Sequence, residues 1–249
     1  MASRELLRNL TSRELKVRYK RSSLGFLWTL LNPLLMMAVF TIVLGTIFGS
    51  EIEDFPIYFL TGYLPFAFFQ ASVMVASGSI VNNAGLITKV YFPRAVLPLS
   101  VVASQAVHYL MANGILFVAL LVVGYMFVPY LPVFVFGVVL LAAFTAGLAM
   151  LVAAATTFLR DITEFLPVAF LLLFYATPVI YSVEQLQEYA WLIRLNPLTH
   201  YVGLLRSATY ELRMPGLPTT AFCVVCSTVT LVVGYRVFTH FAARFAKEV

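Results

Sequence analysis

The chain has 249 residues, 61% of them hydrophobic and 11% charged, with a mean hydropathy of +0.94. So little polar surface cannot enclose a water-soluble core, and the composition places the protein in a bilayer. A net charge of +5 would point a soluble domain toward nucleic acid, but here the basic residues sit at the ends of apolar runs, where they orient a membrane protein instead.

A helical crossing needs about 20 apolar residues. Six runs reach that length, so the sequence predicts one all-α integral membrane domain over residues 1–249 with six transmembrane helices. Residues 1–25 predict an amphipathic interface helix, because Leu6, Leu10, Val17 and Leu24 share a narrow face with Arg13, Lys20 and Arg21 beside it. A merely basic topogenic tail explains the charge but not that spacing. The first apolar run, 26–49, is too long and its N-terminal flank too extended for a cleaved secretory signal. Pro33 removes a backbone donor near its start. An acidic loop, 51–54, leads to the second run, 56–81, where Tyr58, Phe59, Tyr63, Phe66, Phe68 and Phe69 surround Gly62 and Pro65.

Residues 82–94 are a polar, basic break. Gly85 and Pro93 bound a short helix there, and Lys89 and Arg94 flank Tyr91 and Phe92. Composition alone favours an ordinary basic cytoplasmic loop over a docking segment. The third run, 95–127, holds His108 and Asn113; intramembrane polar groups are functional candidates, although a histidine with no carboxylate nearby also fits an interhelical hydrogen bond. The fourth, 131–158, carries small residues for close helix packing, among them Ala146, Gly147 and Ala153. Arg160 and Asp161 follow, and Asp161 with Glu164 three residues on reads either as a capping box or as a contact for a partner.

The fifth run, 163–183, contains Phe165, Phe170, Phe174, Tyr175 and Tyr181 and is interrupted by Pro167 and Pro178. Residues 184–219 are too polar to cross, yet carry Trp191, Tyr201, Leu204 and Leu205; they predict two short helices broken at Asn196-Pro197, lying at or dipping into the interface. In the sixth run, 220–241, Cys223 and Cys226 have redox or zinc spacing but no further ligand nearby, and read as small packing residues.

Lys and Arg number seven before residue 29, two at 89 and 94, one at 160 and two at 244 and 247, against Arg194, Arg206 and Arg213 on the other side. That bias places both termini in the cytoplasm. The chain has no Gly-x-x-x-x-Gly-Lys-Ser/Thr phosphate loop, so it does not bind ATP by that route. It has no Asp, Glu or Lys at mid-depth, which weakens an ion-driven carrier. His108, His200 and His240 lack metal-ligand spacing, and no nucleophile sits beside a base.

Several patterns recur together and in order: ELKVRYKRSSLGFLWTLLNP at 14–33, GYLPFAFF at 62–69, NNAGLITKVYFPRAVLPLS at 82–100, FLRD at 158–161 and LNPL at 195–198. With them the whole chain resembles the permease subunits of ABC-type polysaccharide exporters, which move lipid-linked O-antigens, teichoic acids and capsules. The resemblance implies that 82–94 is a coupling helix on an ATPase subunit. Leu86, Lys89, Tyr91, Phe92, Arg94, Arg160 and Asp161, with Arg13 and Lys16 of the interface helix, would lie at that contact. It implies outer gate helices at 184–219 and a homodimer with two ATPase subunits, which bind the ATP and magnesium while this chain carries no cofactor. It also implies a channel lined by aromatic rings whose faces stack on sugars, the candidates being Phe40, Tyr63, Phe66, Phe69, Phe165, Phe170, Phe174, Tyr175 and Tyr181. Arg18, Lys20 and Arg21 would guide a lipid pyrophosphate in the cytoplasmic membrane of a bacterium. An ABC exporter of a drug or small lipid, and an autonomous channel or carrier, are the alternative readings.

Overall fold

The computed structural model describes residues 2–19, 25, 27–89 and 92–248, without the side chains of residues 2–4, 17–19, 89 and 187. Every regular element among them is helical. In chain order these are α1 (Ala2–Tyr19), α2 (Leu27–Phe40, continued by a π-helical stretch over Thr41–Ile47), α3 (Phe55–Ser77), α4 (Ala84–Lys89), α5 (Val96–Val123), α6 (Leu131–Phe158), α7 (Ile162–Tyr175), α8 (Ala190–Arg194), α9 (Pro197–Thr209) and α10 (Leu217–Glu248).

Five stretches are long and apolar enough to cross a bilayer: Leu27–Ile47, Phe55–Ser77, Val96–Val123, Val128–Phe158 and Leu217–Glu248. The predicted fifth crossing, 163–183, is corrected. Its helix, α7, stops after 14 residues, about 21 Å at 1.5 Å per residue and short of the ~30 Å hydrocarbon thickness. Pro178 explains the stop, since it lacks an N–H and drives the residue before it out of the helical region. The depth left open is filled from the other direction by α9, which buries ten of its 13 residues. It is therefore a helix of the core, whereas the shorter α8 has no buried residue.

The hub is α3, packed on α5, α6 and α9. Its aromatics reach every neighbour: Phe68 lies 5.2 Å from Tyr109 of α5, Phe69 stacks at 5.7 Å on Phe144 of α6 and meets Phe170 of α7 at 5.7 Å, and Phe59 stacks at 4.9 Å on Phe40 of α2. By contrast α2 is held loosely, Pro33 being its one buried residue.

The tightest crossing joins α6 to α10. A Cβ on Gly147 would run into the Thr230 carbonyl, and one on Gly234 into the Gly147 carbonyl, so the two backbones touch where neither residue has a side chain. Farther along, Gly137 of α6 leaves the space occupied by Leu204 and Leu205 of α9. Two ends of the bundle follow from this layout. One carries α1, α4 and the last turns of α10; the other carries α8, α9 and the acidic 51–54 loop.

Gly234→Ala is expected to destabilise the protein by about 2 kcal/mol, because overpacking outweighs the roughly 1 kcal/mol of helix propensity that alanine adds. Gly114→Ala is the control: Gly114 lies on an exposed face of α5 with open space around it, so its substitution should leave stability equal or slightly higher. Thermal unfolding of both variants in detergent checks the pair.

Candidate functional site

At the α1 end, apolar side chains fasten a polar loop to the bundle. Leu10 of α1, Ile87 of α4, Val96 and Leu97 of α5, and Phe238 and Phe245 of α10 share one buried cluster, with Leu6, Leu86 and Phe92 packed at its edge. The predicted apolar face of α1 is thus real at Leu6 and Leu10; the side chain of Val17, and Leu24 altogether, lie outside the described residues. A polar seam runs beside the cluster. Arg13 Nη1 donates to Asn83 Oδ1 at 3.4 Å, and Asn83 Nδ2 donates to the Ser79 carbonyl at 2.9 Å. Arg94 Nη1 donates to the Ala242 carbonyl of α10. Phe158 closes the far side against Phe241 at 5.6 Å and Phe245 at 6.0 Å.

The surface left over is basic. Arg13, Lys16, Arg160 and Asp161 are exposed, while Leu86, Phe92 and Arg94 are half-buried. Tyr91, Lys20 and Arg21, and the side chains of Lys89 and Arg18, lie outside the described residues. The structure departs from the capping-box reading of Asp161. The residue occupies the N-cap position of α7, but its side chain accepts no capping hydrogen bond; its carbonyl takes the backbone N–H groups of Glu164 and Phe165, both at 3.1 Å. The carboxylate is left pointing to solvent on a basic surface.

The opposite end is built around the break in α7. Ending a helix inside a bundle strands carbonyls that need donors. Asn196 supplies the first. Its Oδ1 caps α9 by accepting from the Leu198 N–H at 3.0 Å, and its Nδ2 donates to the Ala176 carbonyl at 3.0 Å and to Thr177 Oγ1 at 2.9 Å. Arg206 supplies the next, donating from Nη2 to the Pro178 carbonyl at 2.9 Å. Tyr58 of α3 supplies a third through its hydroxyl, 2.8 Å from the Tyr181 carbonyl.

Arg206, one of the three cations assigned to the outer side, is 5% exposed. The signal was present. Leu198, Tyr201, Val202 and Leu205 fall at i, i+3, i+4 and i+7, and Arg206 at i+8 lies on that same apolar face. Its guanidinium stacks 3.7 Å over the Tyr58 ring. Around it, Tyr210 donates to the Glu53 carbonyl at 2.6 Å and Tyr125 to Asp54 Oδ2 at 2.8 Å. Burial and then the Asp54 carboxylate push the Tyr125 phenol well up, so it stays a donor.

The aromatic candidates separate by burial. Phe66, Phe69 and Phe170 are at most 4% exposed and fill the core, leaving no ring face for a sugar in this conformation. Phe40, Tyr63, Phe174 and Tyr181 are half-buried, and Phe165 and Tyr175 are exposed at 63% and 57%. Phe40 and Phe174 meet at 5.9 Å between α2 and α7, and Tyr181 donates to the Tyr175 carbonyl at 2.7 Å. A cleft of about 290 Å³ opens between α2, α3 and α5, lined by Trp28, Asn32, Tyr63 and His108 among others. Asn113, on the same helix as His108, donates back to the Tyr109 carbonyl at 2.8 Å.

Comparison with known proteins accounts for most of the chain. Residues 5–210 match the family model described as ABC-2 type transporter. The chain is 32% identical over 248 residues to the O-antigen export system permease protein RfbA of Klebsiella pneumoniae, covering 98% of this chain and 94% of that one. It is 31% identical over 249 residues to RfbA of Myxococcus xanthus, covering 99% and 96%. The polysialic acid transport protein KpsM of Escherichia coli is 23% identical over 238 residues, covering 91% and 89%.

Asn196→Ala removes the cap and both donations and should cost about 2 kcal/mol. Asn196→Asp keeps the acceptor but not the donors, and should recover roughly half of that. Chemical denaturation in detergent would rank wild type, Asp and Ala in that order.

Proposed function

We infer, because the chain belongs to the ABC-2 type transporter family, that it is the membrane-spanning permease of a polysaccharide exporter, with ATP hydrolysed on separate partner chains. The observation that carries this is similarity along nearly the full length to permeases of O-antigen and polysialic acid transport. The sequence itself agrees, having no phosphate loop of its own.

The finer reading follows from the two ends. In it the α1 end faces the cytoplasm of a bacterium, both termini lie inside, and each of two copies of the chain receives one ATPase subunit, which holds the ATP and magnesium. Support comes from the exposed basic surface around Arg13, Lys16, Arg160 and Asp161 and from the bias of Lys and Arg toward this end. Leu86, Lys89, Tyr91, Phe92 and Arg94 make up the coupling segment. The Arg94 link to the Ala242 carbonyl gives it purchase on α10.

Dimerisation is supported by α2. Of the five long apolar stretches Leu27–Ile47 is the least buried within the chain, with Leu35 and Val39 more than half exposed, and twofold pairing of such a face completes a pathway. The cargo is a lipid-linked glycan whose pyrophosphate is guided by Arg18, Lys20 and Arg21, and whose sugars pass the rings that remain accessible, Phe165 and Tyr175 first.

Purification from the native membrane should bring down one nucleotide-binding chain per permease and a detergent-stable ATPase activity. Replacing Tyr91 and Arg94 by alanine should abolish surface display of the glycan and leave the permease dimer intact; normal display in that double variant refutes the coupling role. The burial pattern gives a second test. Phe66→Ala should lose about 3 kcal/mol of stability, whereas Phe165→Ala should keep the wild-type melting temperature and slow export of long glycans.

A further inference from the structure

At the α9 end a pocket of about 480 Å³ opens between the turn after α7, the α9 helix and the link to α10. That is room for a charged group together with the sugar ring or headgroup that bears it. Arg206 lines it from within the core. The acceptors around this guanidinium are all neutral: Nε donates to Thr61 Oγ1 at 3.2 Å, Nη1 to the Tyr58 hydroxyl at 2.8 Å, and Nη2 to the carbonyls of Pro178 at 2.9 Å and Tyr58 at 3.4 Å. A guanidinium has five N–H groups, so the second one on Nη1 has no acceptor among the described residues.

Charge balance points the same way. The one ion pair among the described residues is Arg213 with Glu211 at 2.7 Å, which leaves Arg206 with no carboxylate in contact. A cation removed from water, with Glu184 and Glu211 near but not in contact, is incompletely compensated and gains more from an arriving anion than an exposed one does. Around the pocket Arg194 and Arg213 join Arg206, against Glu184 and Glu211, so cations exceed carboxylates.

We propose that this pocket is a binding site for an oxyanion, a phosphate or carboxylate carried on a sugar or on a lipid headgroup, with Arg206 at its floor and Arg194 at its mouth. Only the identity of the carrier rests on the export reading; the binding itself does not. Arg206 is a prepared partner: its plane is fixed by Tyr58 and Pro178, so little ordering is lost when the anion arrives. Glu184 opposes the same charge and sets how tightly it is held.

The test is a titration of the purified full-length chain in a neutral maltoside detergent at constant ionic strength, read by thermal unfolding. Inorganic phosphate and glucuronate should each raise the melting temperature and saturate, and glucose should do neither. Arg194→Gln should weaken the apparent affinity roughly three-fold and Glu184→Gln strengthen it by a similar factor. These opposite signs follow from charge, and a general loss of packing would not produce them. Nanodiscs separate the two carriers. If phosphatidylglycerol discs already show the raised melting temperature and phosphate adds nothing, the anion is a lipid headgroup; if phosphate still acts in them as in phosphatidylcholine discs, it comes from a soluble sugar or phosphate. Absence of a saturable response to both anions in detergent, or an identical response in wild type and both variants, overturns the site. Failure of the chain to support ATP-driven export would count against the export reading and leave this titration standing.

Discussion

A helix that ends before it has crossed the hydrocarbon leaves carbonyls without their helical partners inside the bundle, and the architecture of this protein turns on how those carbonyls are satisfied. The α7 helix stops at Tyr175. The groups released beyond it at Ala176, Pro178 and Tyr181 are taken by Asn196, Arg206 and Tyr58. Two elements, α9 through Asn196 and Arg206 and α3 through Tyr58, are thereby bound to one break. Asn196 works in both directions, capping the start of α9 while serving the chain after α7, so α9 has little choice about where it enters the core. The buried guanidinium belongs to the same solution: a long side chain with several donors in a fixed plane reaches acceptors that backbone geometry alone leaves apart.

The two ends differ in what holds them. The α9 end is joined by directional polar contacts to buried backbone, which fix orientation and tolerate little displacement. The α1 end is joined mainly by apolar packing of Leu10, Ile87, Phe238 and Phe245, with the polar seam from Arg13 to Asn83 on its exposed side. Apolar packing is non-directional, so α1 and α4 can shift on the bundle while keeping most of their buried area. The two ends thus rest on different physics, shape packing at one and donor–acceptor geometry at the other.

Much of this was written in periodicity and punctuation. Five crossings, the split at Asn196-Pro197 and the small-residue surface around Gly147 are direct consequences of run length, proline placement and glycine spacing. The Pro178 break was visible too, but hydropathy continues to Tyr181, and an average over the run conceals where its hydrogen bonding stops. The burial of Arg206 needed a helical-wheel reading of α9, which the segment's overall polarity discourages. Aromatic identity was a weaker guide still. Phe66, Phe69, Phe165 and Tyr175 are equivalent as ring-bearing residues in apolar runs, and only packing separates those that fill the core from those with an open face. The capping reading of Asp161 failed because its backbone is already helical, at φ −61° and ψ −18°, instead of the extended conformation from which an N-cap side chain reaches back to the first turn.

The contact of Gly147 with Gly234 carries a mechanical consequence. With no side chain between them, α6 and α10 cannot slide past one another without a backbone collision, so over their shared length they behave as a single beam. One extremity of that beam holds the Ala242 carbonyl bonded to Arg94; toward the other, Tyr201 of α9 shares a hydrogen bond with Ser227 of α10, whose hydroxyl donates to the Leu140 carbonyl of α6. Arg94 and Tyr201, far apart in sequence, therefore hold the same α6–α10 pair, one on each side of the glycine contact.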